Sequence, residues 1–166
     1  MKKIIKIFTI LIILTTLSAC SCSKQTTTKP ASPLMFGSVV RVKNFDIDLV
    51  NYEVMDAATP TEKYPKLVYV SVNLTNIGNG TLSFDDEGVY RAYGPDNIQL
   101  LRLISKSYPT LLRNLGPIRR GGTTSGHIII PFVGYGEYYI EFNCPQKNSD
   151  GKTVNTIRTF KFIVRE

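Results

Sequence analysis

Hydrophobic residues recur at every second position through much of the chain. Between residues 66 and 77, Val68, Val70, Val72 and Leu74 fall on one side and Tyr69, Ser71, Asn73 and Thr75 on the other. Alternation rich in β-branched and aromatic residues predicts a half-buried strand, with the three valines and Leu74 on its core face. The same period runs over 40–49, where Val40, Val42, Phe45, Ile47 and Leu49 alternate with Arg41, Lys43, Asp46 and Asp48. The slip near Asn44 reads as a bulge in one strand. Shorter segments at 81–84, 89–93, 98–104, 124–132, 138–143 and 156–164 also read as strands. In the last, Arg158, Phe160, Phe162 and Val164 alternate with Ile157, Thr159, Lys161 and Ile163.

Turn-forming residues separate these segments. They include Asn76-Ile77-Gly78-Asn79-Gly80, residues 85–88, Gly94-Pro95-Asp96-Asn97, Gly121-Gly122 and Asn148-Ser149-Asp150-Gly151, while 56–65 reads as a loop with Pro60 and Pro65. Residues 98–115 are ambiguous. Leu100, Leu101, Ile104, Tyr108, Leu111, Leu112 and Leu115 have nearly helical spacing, and Pro109 interrupts it. A proline removes a helix hydrogen bond, so the strand at 98–104 is followed by an irregular or briefly helical crossing. Short strands between turns define an all-β chain, an immunoglobulin-like antiparallel β-sandwich over residues 34–166.

The N-terminus has a different pattern. Lys2, Lys3 and Lys6 precede an apolar run from residue 7 to 17, and Leu17, Ser18, Ala19 and Cys20 close it. A membrane span needs about 20 apolar residues, so the run is too short. A charged start, an apolar middle and small residues at the cut form an export signal. Leu17-Ser18-Ala19-Cys20 resembles the lipobox of bacterial lipoproteins. The resemblance implies a signal peptide over 1–19, cleavage before Cys20 and lipid on its sulfur. Two or three acyl chains anchor stably where one is marginal. Cys22 fits less well, because Ala19 would then stand where Leu17 fits. Residues 20–33 form a lipidated, flexible linker rich in Ser, Thr, Lys and Pro. The thirteen residues from 21 to 33 reach at most about 45 Å. The protein is therefore expected at the cell membrane or outer membrane, exported and lipid-anchored.

Composition narrows the partners. The formal charge is +7, and three of the lysines lie in the leader. The remainder is dispersed and forms no basic stripe, so nucleic acid is not an expected partner. After lipidation Cys22 and Cys144 remain. Cys22 lies in the linker and Cys144 ends an apolar run, so no structural disulfide is expected and Cys144 reads as half-buried.

Three further stretches carry a family resemblance. They are Val68-x-Val70-x-Val72-x-Leu74-x-Asn76-x-Gly78, then Leu82-x-Phe84, then Gly121-x-Thr123-x-x-Gly126-x-Ile128-x-Ile130-Pro131. Together they resemble the Ig-like domain of unknown function found in many bacterial lipoproteins, which is similar to the secreted mycobacterial immunoprotective antigen. The resemblance spans about residues 38–164. It departs at Arg119-Arg120, where the family usually has proline before the glycine, and in the leucine-rich 98–115 segment. It implies a fold and a surface location, and no reaction. The chain also resembles, less closely, the intracellular proteinase-inhibitor fold of bacilli, which shares the strand-then-Asn-Gly pattern but usually ends in an aromatic-rich tail that is not evident in this sequence.

Candidate chemistry is sparse. His127 is the single histidine and cannot build a multi-histidine zinc site. Ser125 and His127 share a strand face, and Gly122-Thr123-Thr124-Ser125-Gly126 lacks the residue a nucleophile elbow places between Ser and Gly. Asp85, Asp86 and Glu87, with Asp96 or Asn97, offer oxygens for calcium, but the spacing of a calcium loop is absent and a solvated turn accounts for them. Arg119, Arg120 and Arg113 suit phosphate or carboxylate, or simply solvent. Tyr135, Tyr138 and Tyr139 suit an interface, although Tyr138 and Tyr139 must face opposite sides of a strand. No catalytic residue, metal or cofactor is assigned. The expected function is a membrane-anchored, non-catalytic binding or assembly module meeting an envelope protein or polymer. The alternative is an inhibitor of an exported hydrolase, such as a protease or lysozyme.

Overall fold

The computed structural model describes residues 32–58, 63–103 and 106–166. The export signal, Leu17, Ser18, Ala19, Cys20, Cys22, most of the linker and Ile104 lie outside them. Among the described residues seven strands form: β1 (Val39–Val42), β2 (Phe45–Asp56), β3 (Lys66–Asn76), β4 (Tyr90–Tyr93), β5 (Thr123–Pro131), β6 (Gly136–Lys147) and β7 (Thr153–Val164). They build two antiparallel sheets, ordered β1-β2-β3-β5 and β4-β6-β7. The layers are those of an immunoglobulin-like sandwich, four strands over three. The order of entry is its own, because β2 pairs with its successor β3, whereas in the constant-type domain the second strand pairs with the fifth.

β3 is the anticipated strand. Val68, Val70, Val72 and Leu74 are buried in the main core with Ile47, Leu49, Ile128, Ile140, Phe142 and Phe160. Full burial of such a side chain contributes about 1.5–3 kcal/mol. The opposite face is not polar throughout. Leu67 and Tyr69 join Ile129, Tyr108 and Leu111 in a second apolar cluster, so the four-stranded sheet is covered on both sides there.

Several expected elements differ. The slip near Asn44 is a two-residue turn, not a bulge. Val42 pairs directly with Phe45 across it, and Lys43 takes φ +52°. The bulge in β2 comes later, between Leu49 and Asn51. Residues 81–84 form no strand, because Leu82 makes only an isolated bridge to Ile118. Residues 98–103 likewise form no strand, and Gln99 bridges singly to Tyr93. The brief helical crossing is a single 3-10 turn, Leu112–Asn114. Cys144 is buried rather than half-buried, and it is free.

The crossing straps around β5. The His127 N–H donates to the Thr110 carbonyl at 2.7 Å. Leu111 packs on the outer cluster and Leu112 in the main core. Gly126 makes the passage possible, since a Cβ there would lie 2.8 Å from Leu115 Cδ1 and 3.0 Å from the Thr110 carbonyl oxygen.

Candidate binding groove beside the fourth strand

β4 is an edge strand whose free side is only partly covered. The Val89 carbonyl accepts from the Asn143 N–H at 2.8 Å. In an antiparallel ladder alternate residues bond to one neighbour. Arg91 and Tyr93 therefore bond to β6, and the main-chain groups of Tyr90 and Ala92 face away from it. The Ala92 carbonyl is taken by the Leu100 N–H at 2.8 Å, and the Gly94 N–H donates to the Ile98 carbonyl at 3.1 Å. Past Leu100 the chain leaves the edge, and a cavity of about 590 Å³ opens against Tyr90. Gln99, Leu101 and Arg102 form one wall, and Glu141, Asn143 and Ile157 belong to the other. A second hollow of about 310 Å³ lies across the 98–101 ridge, between Tyr64 and Val133. Ile98 (66% exposed), Leu101 (64%) and Ile157 (53%) put apolar side chains in solvent around these openings.

The groove rests on a buried charge cluster. Asp86 is fully buried, with Arg102 Nη1 at 3.4 Å and Arg113 Nη1 at 3.9 Å from its Oδ1. Arg102 Nη1 also donates to the Asp86 carbonyl at 3.0 Å. Among the described residues neither carboxylate oxygen has a hydrogen-bond partner, nor has the buried Tyr90 hydroxyl. Burial raises the Asp86 carboxyl above its ordinary value, with the two arginines opposing. Burial and the nearby Asp86 charge raise the Tyr90 hydroxyl further. A buried ion pair barely offsets its own desolvation, so the cluster contributes position: it holds Arg102, which lines the cavity, to Asp86 and Arg113 behind it. The expectation of a solvated turn at Asp85, Asp86 and Glu87 is thus corrected at Asp86. Among the described residues no group of three or more acidic, His or Cys side chains could hold a metal ion.

The other singled-out residues do not converge here. Ser125 Oγ donates to Asn73 Oδ1 at 2.9 Å, not to His127. The His127 ring meets Tyr69 edge-on at 5.6 Å, and burial lowers its pKa while Glu53 raises it. Arg119 and Arg120 are exposed, and Arg113 has turned to Asp86. Tyr135 is exposed and packs on Phe132. Tyr139 lies on the outer sheet face and donates to Glu137. Tyr138 is buried. Its hydroxyl accepts from the Val133 N–H and donates to the Gly134 carbonyl, both at 2.9 Å. This is the tyrosine corner of Ig-like sandwiches, a tyrosine entering a strand and bonding back across the preceding turn.

Sequence reasoning gave Tyr90 no role beyond its strand and placed Asp86 in a solvated turn. Their setting depends on Arg102 and Arg113, which no local pattern ties to them.

Solved structures share this architecture. MPT63, a secreted protein of Mycobacterium tuberculosis, aligns with TM-score 0.51 and 13% identity over 78% of this chain and 98% of its own. A Staphylococcus aureus protein described as a lipoprotein aligns at 0.51 and 18%, over 78% of this chain and 90% of that one. A Bacillus subtilis protein described likewise aligns at 0.51 and 14%, over 80% of this chain and 40% of that one. The likeness to the mycobacterial antigen's sandwich, expected from the strand motifs, is present in three dimensions. At these identities it defines the fold. No family model matches the sequence, and no curated protein matches it.

Proposed function

We propose that the protein is an exported, lipid-anchored envelope lipoprotein whose sandwich is a non-catalytic binding module, with a segment of an envelope partner received in the cavity beside Tyr90, at the start of β4. The observation that carries this reading is the outward edge at Tyr90 beside the 590 Å³ cavity. Unpaired strand edges recruit an added strand, main chain giving affinity and flanking pockets giving selectivity. Leu101 and Ile157 supply apolar rim, and Arg102 a charge fixed in place by Asp86. The anchor is supported by Leu17-Ser18-Ala19-Cys20 and by the lipoprotein descriptions of two structural neighbours. The non-enzymatic reading is supported by Ser125 being committed to Asn73.

A photo-crosslinking residue at Leu101, in native membranes, tests the groove against the same residue at Ile77, which lies outside it. A discrete adduct from 101 that is absent from 77 is expected, and Leu101→Asp should fail to complement a deletion strain. Identical adducts from both positions would remove the groove from the account. Inhibition of an exported protease or lysozyme by the purified protein would favour the inhibitor reading. Cys20→Ala should lose palmitate labelling, and retained labelling refutes the anchor assignment.

A further inference from the structure

β7 is an edge strand of the three-stranded sheet, and its free side is covered over only part of its length. The chain enters the sandwich by clipping Leu34 onto it. The Leu34 N–H donates to the Thr159 carbonyl at 2.7 Å, and the Leu34 carbonyl accepts from the Lys161 N–H at 3.3 Å. Further along, the Tyr52 hydroxyl donates to the Ile163 carbonyl at 2.8 Å. Thr159, Lys161 and Ile163 therefore turn main-chain groups away from β6. The β6–β7 register runs without a shift from Lys147 opposite Thr153 to Gly136 opposite Val164, and residues of an antiparallel ladder alternate between their two sides. Thr153, Asn155 and Ile157 then face outward as well, ahead of the Leu34 clip. Among the described residues nothing bonds to their main chain on that side.

This stretch lacks the devices that usually guard an edge. It contains no proline, no register shift and no charge, with Lys152 and Arg158 standing just outside it. Thr153, Val154, Thr156 and Ile157 are β-branched, which suits a strand. Thr153, Val154, Asn155 and Ile157 are exposed, Val154 at 48% and Ile157 at 53%. An open, uncharged, β-branched edge is a template for a further strand.

We propose that a second copy of this chain fills it, the two β7 strands pairing antiparallel about a two-fold axis at Asn155. The inference goes beyond the cavity reading and concerns the opposite edge of the same sheet, β7 rather than β4. The occupant follows from the limits of the edge. Leu34 closes it at Thr159, so an incoming strand has to turn aside before that point. β7 itself does so. It begins at Thr153, directly after a tight turn in which the Gly151 N–H donates to the Asn148 carbonyl at 3.0 Å and the Asn148 N–H donates to the Lys152 carbonyl at 2.9 Å. About the axis, the N–H and C=O of Thr153 answer those of Ile157 in the second copy, and Asn155 answers itself. Val154 faces Thr156, a pair of β-branched side chains that suits a ladder. An amide side chain carries both donors and an acceptor, so the two Asn155 side chains at the axis satisfy each other. The two-fold closes this contact on itself, where a head-to-tail contact leaves open ends. One pair opposes it: Lys152 comes opposite Arg158 of the second copy, and like charges directly opposite destabilise a ladder.

The test is oxidative crosslinking of the full chain in its native membranes, with Cys22→Ser as the parent. Cys144 is buried and stays out of reach. Hydrogen-bonded antiparallel partners hold their Cα atoms about 5.5 Å apart, a separation that a disulfide spans. Asn155→Cys should give a species of doubled mass on a non-reducing gel, and neither the parent nor Ile77→Cys should match its yield. Thr153→Cys and Ile157→Cys, co-expressed, should crosslink to each other more than either does alone, which fixes the antiparallel register. Adding Lys152→Glu to Asn155→Cys should raise the yield several-fold, by turning repulsion from Arg158 into attraction. Equal yields at 155 and 77 overturn the inference, as does the absence of a dimer from both 155 and the 153–157 mixture in protease-resistant protein. An adduct of another mass at 155 places a different protein on the edge, and a yield that falls with Lys152→Glu requires another register; either result also overturns it.

Discussion

Asn76 gives the most direct test of how the sandwich is held at one end. It is fully buried, and its side chain uses both its amide hydrogens and its oxygen. Nδ2 donates to the Gly80 carbonyl at 2.9 Å and to the Ile118 carbonyl at 2.7 Å, and Oδ1 accepts from the Gly78 N–H at 2.9 Å. The same residue's main chain bonds to Gly121 and Gly122. Asn76→Ala removes three side-chain bonds and leaves the buried Gly78 N–H without an acceptor. The Ile118 carbonyl keeps its bond from the Leu82 N–H, which limits the damage. At about 0.5–1.5 kcal/mol per bond, with about 1–3 for a stranded buried group, the expected loss is about 2–4 kcal/mol. The chain has no tryptophan, so urea unfolding is best followed by far-UV circular dichroism. With a slope of about 1–3 kcal/mol per molar urea, the midpoint should fall by about 1–2 M. Asn76→Asp discriminates further. Its carboxylate still accepts from Gly78 but sets an oxygen against two carbonyl oxygens, so it should destabilise more than alanine at neutral pH. Burial and the two facing carbonyls hold that carboxyl above its ordinary value of about 3.9, so stability should recover progressively as the pH falls towards about 4 and be restored below it, when the carboxyl is protonated in both states. Asn73→Ala, at a half-buried position on β3, is the control. An Asn76→Ala midpoint equal to that of Asn73→Ala would refute the reasoning.

Gly126→Ala should cost about 1–3 kcal/mol by crowding the strap at Leu115 and Thr110, read as a lowered melting temperature. Tyr138→Phe should cost about 1–2 kcal/mol, because it leaves Val133 and Gly134 without their hydroxyl partner; an unchanged urea midpoint would show the corner to be dispensable. His127 has its pKa lowered by burial, so the unfolded chain takes up a proton at higher pH than the folded one. Its contribution is therefore intact well above the ordinary value of about 6.5 and is lost as the pH falls through it, by at most about 1.4 kcal/mol per pH unit. His127→Leu should flatten that part of the stability–pH curve, and an unflattened curve would place the titration elsewhere.

The parts of the fold legible in the sequence were those fixed by local pattern. β3 read correctly because its core face alternates without interruption and Asn76-x-Gly78 ends it. The structure explains that ending: Asn76 staples the turn, and a Cβ at Gly78 would sit 2.7 Å from Leu82 Cδ1 and 2.9 Å from Asn44 Cβ. The β1–β2 hairpin was misread although its mark was present. Val42 and Phe45, three apart, are cross-strand partners on one face, which is the spacing a two-residue turn produces. Lys43-Asn44 lacks the glycine that usually announces such a turn. Residues 98–115 resisted reading because their leucines serve different surroundings. Leu101 faces solvent, Leu111 the outer cluster and Leu112 the main core, so no single period describes them. The groove was invisible for a related reason. Burial of Asp86 is set by arginines distant in sequence, and the open edge at Tyr90 exists only because the chain departs after Leu100.

The clip at Leu34 also decides how the domain bears a load. Any pull arriving from the N-terminal side meets first the two main-chain bonds to Thr159 and Lys161 and the buried Leu34 side chain. It reaches the long β2–β3 and β6–β7 ladders only afterwards. A parallel bridge such as Leu34 to Phe160 resists sliding along the strand as a group but gives way one bond at a time when lifted. The junction is thus a mechanical fuse: drag along β7 loads it in shear, whereas a pull away from β7 unzips Leu34 and spares the ladders behind it.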